Sequence, residues 1–163
     1  PAFSPPAHAG GWALLYRRQL AAVTNSLWTQ AMSLEQNLQQ RWAEDSGLSA
    51  LIAPDRVFTA RTAEIAPPRA VIVVVAARPI LLASGPARWE EATLRITIED
   101  DDYGRLTAVG DRLAVVFHRV AWAADHAPAV ARLVCRRRGP IVARSKSLWR
   151  QVSDWSALLR RDD

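Results

Sequence analysis

The residues able to do chemistry are few and far apart. Three histidines, His8, His118 and His126, and one cysteine, Cys135, are scattered along the chain. No His-x-x-His or Cys-x-x-Cys spacing occurs, so the ligand pairs of a zinc site are missing. There is no Gly-rich phosphate loop and no nucleophile elbow. Cys135 sits in the apolar–basic stretch Leu133-Val134-Cys135-Arg136, which suits a small buried side chain. Neighbouring arginines could lower a thiol's pKa, but a nucleophile would also need a base. Asp125-His126 could exchange protons and lacks a third partner to orient it. The run Glu99-Asp100-Asp101-Asp102 is the best metal candidate, because clustered carboxylates hold calcium or magnesium. It lacks the alternating ligands, glycine and distal glutamate of an EF-hand. The other readings are a solvated helix start and an intersubunit salt-bridge surface. We expect no catalytic residue, no metal site and no cofactor.

Charge says more than chemistry. The chain has 163 residues and a formal net charge of +5. From Arg132 to Arg150 there are seven basic residues (Arg132, Arg136, Arg137, Arg138, Arg144, Lys146, Arg150) and no acidic one. From Arg88 to Asp111 there are seven acidic residues (Glu90, Glu91, Glu99, Asp100, Asp101, Asp102, Asp111) and three arginines. Opposed segments of this kind invite association between unlike surfaces. Asp100, Asp101 and Asp102 are therefore one candidate half of an assembly interface, and Arg136, Arg137 and Arg138 the other. The same arginines, with Trp149 among Arg144, Lys146 and Arg150, could instead meet phosphates and stack on bases. Period-two spacing makes Trp149 a core candidate as well.

The elements that must position these residues follow from periodicity. Residues 1 to 11, rich in proline and alanine, read as a flexible lead. Helical spacing runs from Trp12 to about Asp45, with a break expected at Ala31 to Ser33. Ser33-Leu34-Glu35-Gln36 carries a capping-box signature, and Gly47 sits where a helix stop is expected. Residues 48 to 56 read as a connection, Arg56 to Ala60 as a short strand and Thr62 to Pro68 as a loop. Arg69 to Ala77 reads as the central strand. Val71, Val73 and Val75 would lie on one face and Ile72 and Val74 on the other, which implies cover on both sides. Pro79 is expected to interrupt this strand, and Ser84-Gly85-Pro86 to turn the chain. Trp89 to Ile98 is a strand whose Leu94, Ile96 and Ile98 share a face. A helix follows, about Tyr103 to Arg119, with aspartates before its first turn and His118 at its end. Ala129 to Arg136, Ile141 to Ala143 and Leu148 to Leu158 read as strands, with a turn at Arg138-Gly139-Pro140. No apolar run reaches the roughly 20 residues of a membrane helix, so no membrane partner is expected. The order implies an α+β fold: a mostly antiparallel twisted sheet with two main helices packed on it.

Four segments resemble the phage tail terminator, or tail-completion, proteins of prophages and gene transfer agents. Met32-Ser33-Leu34-Glu35-Gln36-Asn37-Leu38 looks like that family's start. Gly47-Leu48-Ser49-Ala50-Leu51-Ile52 followed by Asp55-Arg56-Val57-Phe58 is similar to its helix-to-strand connection. Pro67-Pro68-Arg69-Ala70-Val71-Ile72-Val73 looks like its proline-led central strand. Ser147-Leu148-Trp149-Arg150-Gln151-Val152-Ser153-Asp154-Trp155 resembles its closing strand. The resemblance implies a domain over residues 32–163, preceded by an extension over 1–31. It implies a structural, non-enzymatic protein that forms a homo-oligomeric ring, often a hexamer. That ring would cap the tail tube, meet the head–tail connector protein, and belong to a virion or phage-like particle assembled in the bacterial cytoplasm. The alternative is a small basic nucleic-acid-binding protein acting through Arg132 to Arg150.

The capping signature at Ser33 and the family-like start at Met32 make a first prediction. Deletion of residues 1–31 should leave thermal unfolding cooperative, with the midpoint lowered by no more than a few degrees. An insoluble or molten truncated protein would show that the extension packs into the core.

Overall fold

The structure, a computed structural model, describes residues 34–59, 65–82, 85–124 and 127–160. Expectations that fall on the other residues, including the lead, the Ser33 cap and Asp125-His126, lie outside the described residues. In chain order the elements are helix α1 (34–44) and helix α2 (Ser46–Leu51). A single 3-10 turn (Pro54–Arg56) leads into strand β1 (Val57–Thr59). The long strands β2 (Arg69–Leu82) and β3 (Gly85–Asp100) precede helix α3 (Tyr103–Phe117). Strands β4 (Val120–Ala124), β5 (Ala127–Arg138), β6 (Val142–Ser145) and β7 (Leu148–Arg160) complete the chain.

The strands form one seven-stranded sheet in the order β1-β2-β3-β7-β5-β4, with β6 pairing the first residues of β7. The α+β class is as expected. The sheet itself is mixed and curled, which corrects the expectation of a mostly antiparallel twisted one. β1 joins β2 in parallel, and the pairings β2–β3, β3–β7, β7–β5, β5–β4 and β6–β7 are antiparallel. Register shifts in the ladders of β2, β4, β5 and β6 bend the strands locally, as bulges do. Among the described residues the two longer helices are α1 and α3, with the six-residue α2 as a third, short one.

Period-two alternation sorts β3 and β7 completely. Ala92, Leu94, Ile96 and Ile98 of β3 are buried, as are Trp155, Ala157 and Leu159 of β7. They face Leu34, Leu38 and Trp42 of α1, Leu48 of α2, and Leu106, Val109, Leu113 and Phe117 of α3. Each buried leucine, isoleucine, valine or phenylalanine among them contributes about 1.5–3 kcal/mol by leaving water. Trp155 crosses Phe117 edge-on at 6.4 Å, and its Nε1–H donates to Ser153 Oγ at 2.8 Å. All described helices lie on this one face, and no described element covers the other.

Three local expectations are overturned for physical reasons. Gly47 does not stop a helix. Asp45 ends α1, and its carboxylate accepts Leu48 N–H at 2.8 Å to start α2 at once. Gly47 is small because Arg112 passes there, its Nε 2.8 Å from where a Cβ would stand. Pro79 does not interrupt β2. β1 covers β2 only at Ala70, Val71 and Ile72, so farther along β2 is an edge strand, where a missing N–H costs no ladder bond. β2 is therefore not the central strand, and β3 and β7 take that place. Val71 and Val73 are half-buried and Val75 is 53% exposed, so the second face of β2 is uncovered. Finally, β4 occupies a stretch not expected to be a strand. Arg119 makes the sharp reversal into it at φ 60°, with its N–H donating to Leu133 C=O at 2.7 Å.

Helix α1 is tied to the sheet by two polar contacts, of which one is Gln39 Nε2 donating to Val57 C=O of β1 at 2.6 Å and the other reaches β2. The buried Glu35 carboxylate accepts the backbone N–H of Val74, beside the β2 bulge. Burial pushes the Glu35 carboxyl above its usual range, and the Val74 N–H pulls it back in part. A raised folded-state value means that stability present in acid is lost as pH rises through that value. Glu35→Gln keeps an acceptor for Val74 and removes the buried charge. Its melting temperature should therefore exceed the parent's near neutral pH, and the gain should shrink in acid. Glu35→Ala leaves the N–H bare and should cost about 1–3 kcal/mol. A Gln variant less stable than the parent at neutral pH would show that the ionised carboxylate is favoured there.

Candidate assembly surface

The two triplets singled out by charge are not placed as two matching patches. Asp100 is fully buried and grips Arg105, with Oδ1 2.6 Å from Nη2 and Oδ2 2.7 Å from Nε. It also accepts Asp102 N–H at 2.9 Å. Asp101 is exposed and reaches Arg105 Nη2 at 2.9 Å. Asp102 is the N-cap of α3, accepting Arg105 N–H at 3.0 Å. The acidic run is thus the start of α3, where negative charge suits the helix dipole. Burial opposes ionisation of Asp100, but Arg105 and the Asp102 N–H outweigh it and hold its carboxyl below the usual range.

The arginine triplet divides. Arg138 reaches back across α3 to Asp111 Oδ1 and to Thr107 C=O. It fits because Gly110 is bare: a Cβ there would lie 2.5 Å from Arg138 Nη2 and from Gln151 Oε1. Arg136 and Arg137 are exposed, and their side chains form no hydrogen bond or ion pair among the described residues. Both triplets touch α3, Arg138 at Asp111 and the acidic run at the first turn, but no ion pair joins one triplet to the other among the described residues.

The surface that sequence reasoning missed is the outer face of the sheet. Its centre carries a cross-strand ladder of ion pairs: Arg78–Glu91 at 2.6 Å, Arg95–Asp154 at 2.8 Å, and Arg69 with Glu99, Nε to Oε2 at 2.8 Å. Arg150 approaches the same Glu99 at 3.7 Å. Arg78 holds the Glu91 carboxyl below its usual value, with a smaller pull from Arg136. Beside the ladder lies an open hollow of about 230 Å³, floored by Ile80, Val134 and Leu158 and rimmed by Glu91, Arg132 and Arg136. Alternation of Arg95, Thr97 and Glu99 was visible in the sequence. The β5 residues that face the same way were not, because the irregular β5–β7 register sets them.

Other candidates are placed as structural groups. His118 is the C-cap of α3, and its Nδ1 accepts the backbone N–H of Cys135 at 3.1 Å, the role of a bare ring nitrogen. Cys135 is half-buried, and burial raises its thiol pKa, opposite to an activated nucleophile. Trp149 is half-buried and meets Tyr103 edge-on at 5.2 Å. Among the described residues no group of three or more His, Cys, Asp or Glu could hold a metal ion. Nor is any helix there long and apolar enough to cross a membrane.

No protein-family model and no curated protein matches the sequence. A solved structure does match the fold. It is a chain of the "Virion of native gene transfer agent (GTA) particle", superposed at a TM-score of 0.61 with 13% sequence identity. The match covers 74% of this chain and 90% of that one. The two chains share a fold.

The geometry at Asp100 makes the next prediction. Arg105→Met removes the partner of a fully buried carboxylate, while Arg105 is itself one-third exposed. The variant should lose about 3 kcal/mol near neutral pH, the low end for breaking a buried pair. Asp100's depressed value means its stability contribution exists above the unfolded carboxylate pKa and fades as pH falls through the folded one. The deficit of Arg105→Met should therefore narrow in acid. A deficit that stays constant with pH would show that Asp100 is not the group stranded.

Proposed function

We propose that this chain is a structural protein of a phage-like particle, of the tail terminator kind. In this reading residues 32–163 are the assembling domain. Copies form a ring that caps the finished tail tube and joins it to the head–tail connector, in a particle assembled in the bacterial cytoplasm. The observation that carries the reading is the fold shared with the gene transfer agent virion chain over nine-tenths of that chain's length. The four sequence resemblances support it independently. The mechanism is geometric and needs no catalysis. A heterologous contact between unlike surfaces closes into a ring when its rotation divides a full turn. One face of the ring matches the last ring of tube and blocks further growth, and the other receives the connector. Buried area supplies most of the affinity and charge sets register, since an exposed ion pair contributes only about 0–1 kcal/mol.

One observation favours a second reading, nucleic-acid binding. Arg132, Arg136 and Arg137 stand exposed on one strand without side-chain partners among the described residues. Rows of this kind contact phosphates in a salt-dependent way.

Sedimentation of nuclease-treated protein separates the two. The ring reading expects a discrete oligomer that weakens modestly with salt. Added to polymerising tail-tube protein, it should fix tube length. A protein that stays monomeric at high concentration, and also with tail-tube protein present, would overturn that reading. Loss of the large species on nuclease treatment would favour the second.

A further inference from the structure

β2 is apolar on both of its sides. Ile72 and Val74 face the helices opposite Ile96 and Leu94, while Val71 and Val73 face outward opposite Thr97 and Arg95. Val75, the extra residue of the bulge, is 53% exposed, and Ala76 beyond it is exposed too. A strand apolar on both sides is the mark of a strand covered on both. No described element supplies the outer cover. Arg69 and Arg78 at the two ends of this strip already hold Glu99 and Glu91. The strip therefore calls for apolar cover and for no further carboxylate.

The chain itself arrives at this place. α1 begins at Leu34, and Glu35 accepts the Val74 N–H at the edge of β2, past the reach of β1. The 33 residues before Leu34 thus lead into the fold beside the strip. They contain no aspartate or glutamate and two arginines, Arg17 and Arg18. At helical spacing Tyr16, Leu20, Val23 and Leu27 share one side, and Arg18, Ala21 and Asn25 fall on the other. As a helix, Tyr16 to Leu27 would span about 17 Å. The strip from Val71 to Ala76 is about as long at the rise of a strand. The linker 28–33 can extend roughly 20 Å, which is enough to carry the chain from α1 round the sheet edge.

We propose that residues 16–27 cover the outer side of β2 in their own molecule, with Tyr16, Leu20, Val23 and Leu27 on Val71, Val73, Val75 and Ala76. A segment tethered this close acts at an effective concentration in the millimolar range, so it fills its own strip ahead of a neighbour's. The cover lies outside the core, which is why its removal should leave cooperative unfolding intact. The inference does not rest on the ring reading.

The test is a set of cysteine pairs in the full chain, with Cys135→Ala removing the native thiol. Ala76→Cys is combined in turn with Leu20→Cys or Val23→Cys on the apolar side, and with Arg18→Cys or Asn25→Cys on the other. Each variant is oxidised at low concentration after circular dichroism shows native content. The apolar-side pairs should close a disulfide within one chain at least about tenfold faster than the other pairs, because a disulfide needs its two Cβ atoms close together. Equal rates on both sides, or no closure at all, overturn the proposal. Disulfides that join two chains instead give the strip to a neighbouring copy and overturn the placement within one molecule. A second measurement needs no cysteine. Val75→Lys, at an exposed position, should speed trypsin cleavage after Arg17 and Arg18 at least about tenfold, since cleavage follows the population of the open segment. Cleavage as slow as in the parent, or a parent already cut as fast as the variant, overturns the proposal as well.

Discussion

Twelve unbroken cross-strand pairs join β3 to β7, from Trp89–Arg160 to Asp100–Trp149, and the rest of the molecule is arranged by them. The strands lie far apart in the chain, so this ladder closes a long loop and holds α3, β4, β5 and β6 within it. Because no bulge interrupts it, every second residue on both strands faces the helices without exception. A single-residue slip would carry Ile96 and Trp155 to solvent and bring Arg95 and Asp154 into the core. Irregularity is confined to the flanking ladders, where β2 and β5 bend around this straight centre.

Much of that arrangement was legible as alternation and helical spacing. Leu94, Ile96 and Ile98, the inward face of α3, and the strand carrying Trp155 all depend on local sequence period, and all stand where the pattern put them. The misreadings share a cause, which is that a distant residue decided the outcome. Gly47 looks like a helix stop until Arg112 is seen to need its space. Pro79 looks like a strand break until the short reach of β1 makes that part of β2 an edge. Asp100 looks like a surface acid until Arg105, five residues on, is seen to pair it in the interior. The outer sheet face was the least legible part, since it is made of β2, β3, β5 and β7 together and no segment contains it.

The charge pattern carries a related lesson. Opposed acidic and basic segments in a chain need not be opposed surfaces in a fold. Most of the acidic residues between Arg88 and Asp111 are engaged within the molecule: Glu91 and Glu99 across strands, Asp100 to Asp102 at the start of α3, Asp111 with Arg138. What remains among the described residues is a set of exposed cations without carboxylates: Arg132, Arg136 and Arg137, which face outward from β5, and Arg119, Arg144 and Lys146 elsewhere. Position relative to a partner, rather than count, is what makes charge specify an assembly.

The sheet edges add a constraint on how copies could meet. An exposed edge strand is a template for further strands, and a sheet protein that is to avoid open-ended growth must blunt its edges. On the β2 side, β1 covers Ala70 to Ile72, Glu35 occupies the Val74 N–H, and Pro79 has no N–H to offer. On the β4 side, two register irregularities fall within a five-residue strand, which spoils the even spacing a new strand would need. With both edges blunted, extension of the sheet from copy to copy is disfavoured. Association is left to the faces, and of these the helix side and the outer sheet side differ in both charge and shape. A contact between two unlike faces is heterologous, and it closes into a ring only where its rotation divides a full turn.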